Sequence, residues 1–172
     1  IQWLPQRFRS HPKIIAPLFS MIRMVWLVRR EVIRGDIRLI HARSYIPAAV
    51  ALIVSRITRV PFIFDMRALW PEELIIADRL RRGSLIHRAI VAAERACLAK
   101  SSGVISLTHA AAAYLKSEYP VELKNQRLVV IPTCADLDRF TPSVNKRHGP
   151  NVHGCIGTVL SGWFRTDLLA SW

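Results

Sequence analysis

Short apolar runs alternate with longer, helix-periodic stretches along this chain. Residues 37–41, 60–64, 103–107 and 128–131 (IRLIH, VPFIF, GVISL and LVVI) are bounded by Gly, Pro, Asp or Arg and predict four β-strands. Between them lie stretches with helical spacing. Residues 47–58 (PAAVALIVSRIT) predict a helix with Pro47 suited to its first position, where a missing N–H costs nothing. Ser84 is placed to cap a helix over residues 85–100, whose Leu85, Ile86, Ala89, Ile90, Ala93, Ala96 and Cys97 make one apolar face. Glu94 in that helix reads as solvent-facing or paired. A short helix over 109–118 stops before Pro120. Residues 13–34 are apolar nearly all round, with Arg23 interrupting and Pro17 in the first turn. They read as a buried helix with a basic end or as an interfacial membrane helix. Their uninterrupted apolar runs fall well short of the roughly 18 residues a membrane span needs. Residues 65–83 form a charged, irregular loop, in which Glu72 and Glu73 after Pro71 look like the first turn of a helix, where acids complement the dipole.

Strands that alternate with helices, and that are continuously apolar rather than alternating, imply a sheet buried on both faces. That means a parallel sheet covered by helices. The fold class is therefore α/β. Residues 1–142 form one domain, 143–152 a polar and basic linker, and 153–172 the start of a second domain, opening on the glycine-containing run HGCIGTVL. The chain opens at Ile1 and ends in what looks like mid-helix, so it reads as a fragment, with poor solubility expected where a sheet edge and an apolar face lack partners.

Composition sharpens this picture only in places. The 172 residues suffice for a real core, and 51% hydrophobic with 22% charged residues is a globular balance. Three cysteines, Cys97, Cys134 and Cys155, have no metal spacing and suggest a reduced, cytoplasmic protein without a disulfide framework. The formal net charge is +13, and residues 1–64 carry net +9 of it. A basic lobe attracts phosphates, whether of nucleic acid, lipid headgroups or lipid-linked intermediates.

Ligands of an open parallel sheet bind beyond the carboxyl ends of its strands. The residues that follow the four runs are polar. Arg43, Ser44 and Tyr45 follow the first, beside His41; Asp65, Arg67, Trp70, Glu72 and Glu73 follow the second; Thr108 and His109 the third; Thr133, Cys134 and Asp136 the fourth. Asp65 with Arg67 could position or deprotonate a hydroxyl, or brace the loop as an ion pair. His41 could hydrogen-bond a sugar hydroxyl or act as a base, or be satisfied by backbone. His109 reads as a helix-start residue. No metal-ligand cluster, Walker loop, GxGxxG, GxSxG or HExxH motif is present.

Three segments, in order, resemble the N-terminal domain of family-four glycosyltransferases of the GT-B fold: DIRLIHARSYIPAAVA, VPFIFDMRALWPEE, and the run from Glu94 through KSSGVISLT to LVVIPTCADLDRFTP. They cover about residues 36–142, and IGTVLSGWF resembles the opening of the donor-binding domain. The sequence departs from the family pattern at three places: Arg67 where many members carry His, Ala68 where a subset has Gly, and the turn Thr133-Cys134-Ala135-Asp136 in place of N-G-V-D. The resemblance implies two facing Rossmann-like domains with the active site between them. The reaction implied is sugar transfer from a nucleotide-sugar to a glycan or lipid-linked acceptor, usually with retention and with no required metal or cofactor. Asp65 and Arg67 would be catalytic. His41, Arg43, Ser44, Tyr45 and Glu72 would lie on the acceptor side, with Thr108, Thr133 and Asp136 at the cleft. Gly157, Ser161 and Gly162 would approach the donor diphosphate. The fragment alone is expected to be inactive. The basic lobe would face an anionic membrane, making the protein peripheral on the inner face of the plasma membrane.

Two rivals remain. A non-enzymatic basic module binding nucleic acid predicts aromatics interleaved with Arg on an exposed face; Trp26 and Phe62 fall in apolar runs, so no specific nucleic acid is expected. A sugar-nucleotide epimerase of the same architecture is the other.

Overall fold

The computed structural model describes residues 15–141. The linker, the start of the second domain, Cys155, Gly157, Ser161 and Gly162 lie outside the described residues. Helix α1 (Ile15–Arg34) leads into β1 (Ile40–Arg43), α2 (Tyr45–Thr58), β2 (Phe62–Met66), α3 (Trp70–Ile76), α4 (Leu85–Lys100), β3 (Gly103–Ser106), α5 (His109–Glu118) and β4 (Leu128–Val130). The strands form one sheet in the order β1-β2-β3-β4, with every pair parallel. The Rossmann-like α/β class read from the sequence is the class observed.

Expected and observed strands differ at their ends. β1 begins three residues later than the apolar run, because Ile37 and Leu39 are exposed and only Ile40 takes up the ladder, pairing with Phe62. β2 runs two residues further, through Asp65 and Met66, since Arg43 and Asp65 are register partners and the Ser44 N–H donates to the Asp65 carbonyl at 2.9 Å. α2 starts at Tyr45, which places Pro47 in its third position rather than its first. That N–H has no intrahelical acceptor either, so proline is tolerated there. The 65–83 loop contains α3, with Pro71 and the two glutamates in its first turn. Ser84 caps α4 as expected, its hydroxyl accepting from the His87 N–H at 3.2 Å.

Parallel crossovers are right-handed, and here all three advance in one direction across the sheet, so α2, α4 and α5 land on one face. Burial follows this geometry. Ala42, Phe62, Phe64, Met66 and Val104 on that face join Leu52, Leu98 and Leu115 of the helices in the main core. The other face carries His41, Arg43, Ile63, Asp65, Ile105 and Val129, of which only Asp65 is buried. The expectation of strands covered on both faces therefore needs correcting for the described residues. The apolar residues of both faces are written into the strands, but three same-direction crossovers can cover only one. A smaller cluster centres on Val32, Val50 and Val54, where α1 packs Met21, Met24, Val25 and Val28 against α2.

Helix α4 departs most from its expected orientation. Leu85 and Ile86 are 81% and 67% exposed, while Glu94, Cys97 and Leu98 are buried. The helix is apolar enough on several sides that periodicity does not fix its inward face. What fixes it is Glu94, whose carboxylate accepts from Tyr45 Oη at 2.7 Å and from Tyr119 Oη at 2.6 Å. Tyr45 Oη in turn accepts from the Trp70 N–H at 3.3 Å. Burial raises the Glu94 pKa against the lowering effect of the two tyrosine hydrogen bonds; it also raises both tyrosines and pushes the Cys97 thiol up to about 11.

Removing this carboxylate with Glu94→Ala strands two buried hydroxyls and should cost about 3 kcal/mol in urea unfolding. A raised carboxyl stabilises the fold most below its unfolded pKa and loses that contribution as pH rises through its folded value. Wild type should therefore lose stability relative to Glu94→Gln as pH climbs above the ordinary carboxylate range, as read from paired denaturation curves.

Candidate functional site

The carboxyl ends of the four strands share one edge of the sheet. The register that pairs Arg43 with Asp65, Asp65 with Ile105 and Ser106 with Val130 brings the residues beyond them to a common rim. Neighbouring parallel strands stand about 4.8 Å apart, so the rim is about 14 Å across. On the open face at this rim, His41 Nε2 stands 3.3 Å from Asp65 Oδ2. Asp65 is only 6% exposed, and its Oδ1 is buried with no hydrogen-bond partner among the described residues. An unsatisfied buried carboxylate oxygen is costly, so a donor that reaches it gains the full benefit of the bond. Arg43 lies exposed beside it and Arg67 half-buried just beyond β2, and among the described residues neither forms an ion pair. The rim thus holds two uncommitted guanidinium groups around a carboxylate with one free acceptor.

Ser44 joins β1 to α2 with φ 77° and ψ 175°, a conformation reached almost only by glycine. Its side chain makes no capping hydrogen bond, but its N–H holds the Asp65 carbonyl. A strained residue just past β1, bonded across to β2, fixes the course of the backbone at the rim.

The other candidates scatter. Tyr45 is buried on the helix-covered side against Phe64 and Trp70, with its hydroxyl committed to Glu94. Glu72 is ion-paired with Arg82. The Thr108 side chain caps α5 by accepting from the Ala111 N–H at 3.0 Å. Thr133 is exposed three residues beyond β4, and Asp136 folds its own turn by accepting from the Asp138 and Arg139 N–H groups. Among the described residues, no three His, Cys, Asp or Glu side chains are grouped to hold a metal. Sequence reasoning missed the Glu94 network. Its partners Tyr45 and Tyr119 are 49 and 25 residues away, and no local spacing announces them.

A family model described as Glycosyltransferase Family 4 matches residues 3–139, well over half of the chain. The chain belongs to glycosyltransferase family 4. No curated protein matches it significantly. Family membership assigns this domain a general role in glycosyl transfer and removes the ground for the epimerase rival. The parallel sheet of this family-4 domain, with its polar residues at one edge, has the form of an N-terminal GT-B domain.

Relieving the backbone at Ser44 tests the rim geometry. Ser44→Gly should raise stability by about 1 kcal/mol, since relief of strain outweighs the entropy of an added glycine. A urea midpoint at or below that of wild type would contradict it.

Proposed function

We propose that this domain is the acceptor-side half of a GT-B enzyme that transfers a sugar from a nucleotide-sugar to a glycan or lipid-linked acceptor, with retention and without a resident cofactor. The observation that carries this reading is the buried, unpartnered Asp65 Oδ1 at the carboxyl end of β2. An acceptor hydroxyl donating to that oxygen would satisfy it. His41 holds the second carboxylate oxygen, so that the carboxylate either orients the hydroxyl or takes its proton. Arg43 and Arg67 are placed to draw phosphate-bearing groups to the rim. Tyr45 and Glu72 support the rim from within rather than touching substrate, in this reading. Gly157, Ser161 and Gly162 would meet the donor diphosphate through backbone N–H groups from the facing domain.

The outward side of α1 supports a peripheral position on an anionic membrane at the cytoplasmic face. Phe19, Ile22, Trp26 and Ile33 are exposed along one stripe, flanked by exposed Arg23, Arg29 and Arg34, with Arg30 stacked 5.1 Å over Trp26. Trp26 falls in an apolar run of the sequence, yet it is 55% exposed. Its neighbours are aliphatic and aromatic rather than hydrogen-bonding, which suits lipid better than nucleic acid, and Phe62 is fully buried. No helix of the described residues is long and apolar enough to cross a membrane.

In the full-length protein, Asp65→Asn should lower turnover about 100-fold or more while shifting stability by under about 1 kcal/mol. Equal losses in both would reduce Asp65 to a structural role. Replacing Arg23, Arg29 and Arg34 together by Gln should weaken binding to phosphatidylserine vesicles about 100-fold, with neutral vesicles hardly affected. Sedimentation with the two vesicle types reads the difference.

A further inference from the structure

On the helix-covered side, a groove opens between α1, α2 and α4. Met21 lines it from α1, Ile46 and Ala49 from α2, Ile90 and Ala93 from α4, and Trp70 closes one end. The cavity at that end is about 90 Å³, of the same order as the roughly 150 Å³ cavity that accepts benzene, so it has room for one apolar side chain. The groove continues toward the amino edge of the sheet. Ile53 and Arg56 follow Ile46 and Ala49 by two turns and share their side of α2, with Ile57 beside them. Apart from Arg56 that side is apolar, yet Ile46, Ile53 and Ile57 are all exposed. A helix side that faces solvent is ordinarily polar. On α4, Ile86, Ala93 and Lys100 recur at the same interval and are exposed along the opposite wall. From Ile46 to Ile57 the floor is about 16 Å long at 1.5 Å per residue, which is three turns of helix.

Charge is as one-sided as the lining. Both α2 and α4 lead into the amino end of the next strand, so both finish at the amino edge of the sheet. Arg56, Arg59 and Lys100 therefore gather at the open end of the groove, opposite Trp70. Burial raises the Cys97 thiol pKa and the nearby Arg56 charge lowers it, which sets Arg56 beside the α4 wall. Among the described residues none of these three cations forms an ion pair. The acids of the three helices are Glu31 and Glu94. Glu31 is paired with Arg30, and Glu94 is bonded to Tyr45 and Tyr119. A second copy of this chain, at net +13, would bring more cations to a groove without a free acid. A bilayer surface would not reach Ala49 and Ile90, which are recessed and half-buried. A single alkyl chain is too narrow to cover the α2 stripe and the α4 wall together. An α-helix with its side chains is about 10 Å across and packs against other helices at about 8–10 Å, which suits a shallow groove of this length.

We propose that this groove docks an acidic amphipathic helix of a partner protein. One apolar side chain of that helix anchors in the cavity beside Trp70, and the rest of its apolar stripe covers Ile46, Ile53 and Ile57. Its carboxylates meet Arg56, Arg59 and Lys100. The contact lies on the helix-covered side, apart from the Asp65 face of the rim, and does not depend on which sugar or acceptor the domain handles.

The probe is a fluorescein-labelled helical peptide of Leu, Ala and Glu, about 15 residues or four turns long, with its leucines on one face. Anisotropy reads its binding to the full-length protein. It should bind about tenfold or more tightly than a peptide of the same composition with scattered leucines, or one of the same pattern with Lys for Glu. Ile53→Glu should weaken binding about tenfold or more. Ile57→Glu, at a more exposed position, should do the same and covers the case in which the first variant misfolds. Ile76→Glu, exposed on α3 outside the groove, should change nothing. Arg56→Glu combined with Lys100→Glu should move the preference to the Lys peptide. Equal affinity for patterned and scattered leucines overturns the proposal, as does binding that survives both groove isoleucine variants or is lost equally in Ile76→Glu. A double charge reversal that leaves the Glu peptide preferred overturns it as well. A dimer in sedimentation that Ile53→Glu disperses would assign the groove to a second copy. Phosphatidylserine-vesicle binding lost in both isoleucine variants, with no peptide bound, would assign it to the bilayer. Either result overturns the proposal.

Discussion

One buried carboxylate sets the arrangement of four helices. Glu94 is 3% exposed, and a charge in that position is tolerated only when its oxygens are hydrogen-bonded. Tyr45 and Tyr119 supply one bond each, and Tyr45 accepts from the Trp70 backbone, so a single chain of hydrogen bonds ties α3, α2, α4 and the end of α5. Each group in the chain would be costly to leave unpaired, so the helices dock together rather than independently. Arg95 lies 5.4 Å over the Tyr119 ring and shields the outer end of this chain. The docking also decides which side of α4 turns inward. With Glu94 facing the core, Leu85, Ile86 and Ala89 are left outward and Ile90 and Ala93 become the wall of a groove.

The sheet obeys a second constraint. Three right-handed crossovers in one direction cover one face and leave the other open among the described residues. The rim therefore has two unlike sides. Toward the open face it presents His41, Asp65 and Arg43; toward the helices it presents Tyr45 and Trp70. A polar surface and an apolar one sit back to back across a few residues of backbone. Ser44 is the residue that divides them, and its strained conformation is held by the hydrogen bond to Asp65.

Much of the site was legible because parallel strands all point their carboxyl ends the same way. Once the apolar runs are identified as such strands, Arg43, Asp65, Thr108 and Thr133 must share an edge. The sequence did not distinguish residues that face a ligand from residues that brace the rim. Tyr45 follows the same strand as Arg43, yet it turns under the sheet edge into the core, because the first turn of α2 directs it toward Phe64. Glu72 reads as a ligand contact in the sequence, but its carboxylate is ion-paired with Arg82, ten residues further along the chain. The family motifs identified the fold but could not separate these roles.

The amino-acid sequence by itself determined the elements, their order, the parallel sense of the sheet and the edge at which the polar residues gather. These follow from local propensity and hydrophobic period, which act over a few residues. Only the tertiary structure decided which face of α4 is buried, that the sheet is covered on one side within the described residues, and that Asp65 keeps an unpaired oxygen next to His41. Those outcomes depend on groups brought together from 24 to 49 residues apart. No local rule encodes them, because the cost of burying a carboxylate is known only when its partners are in place.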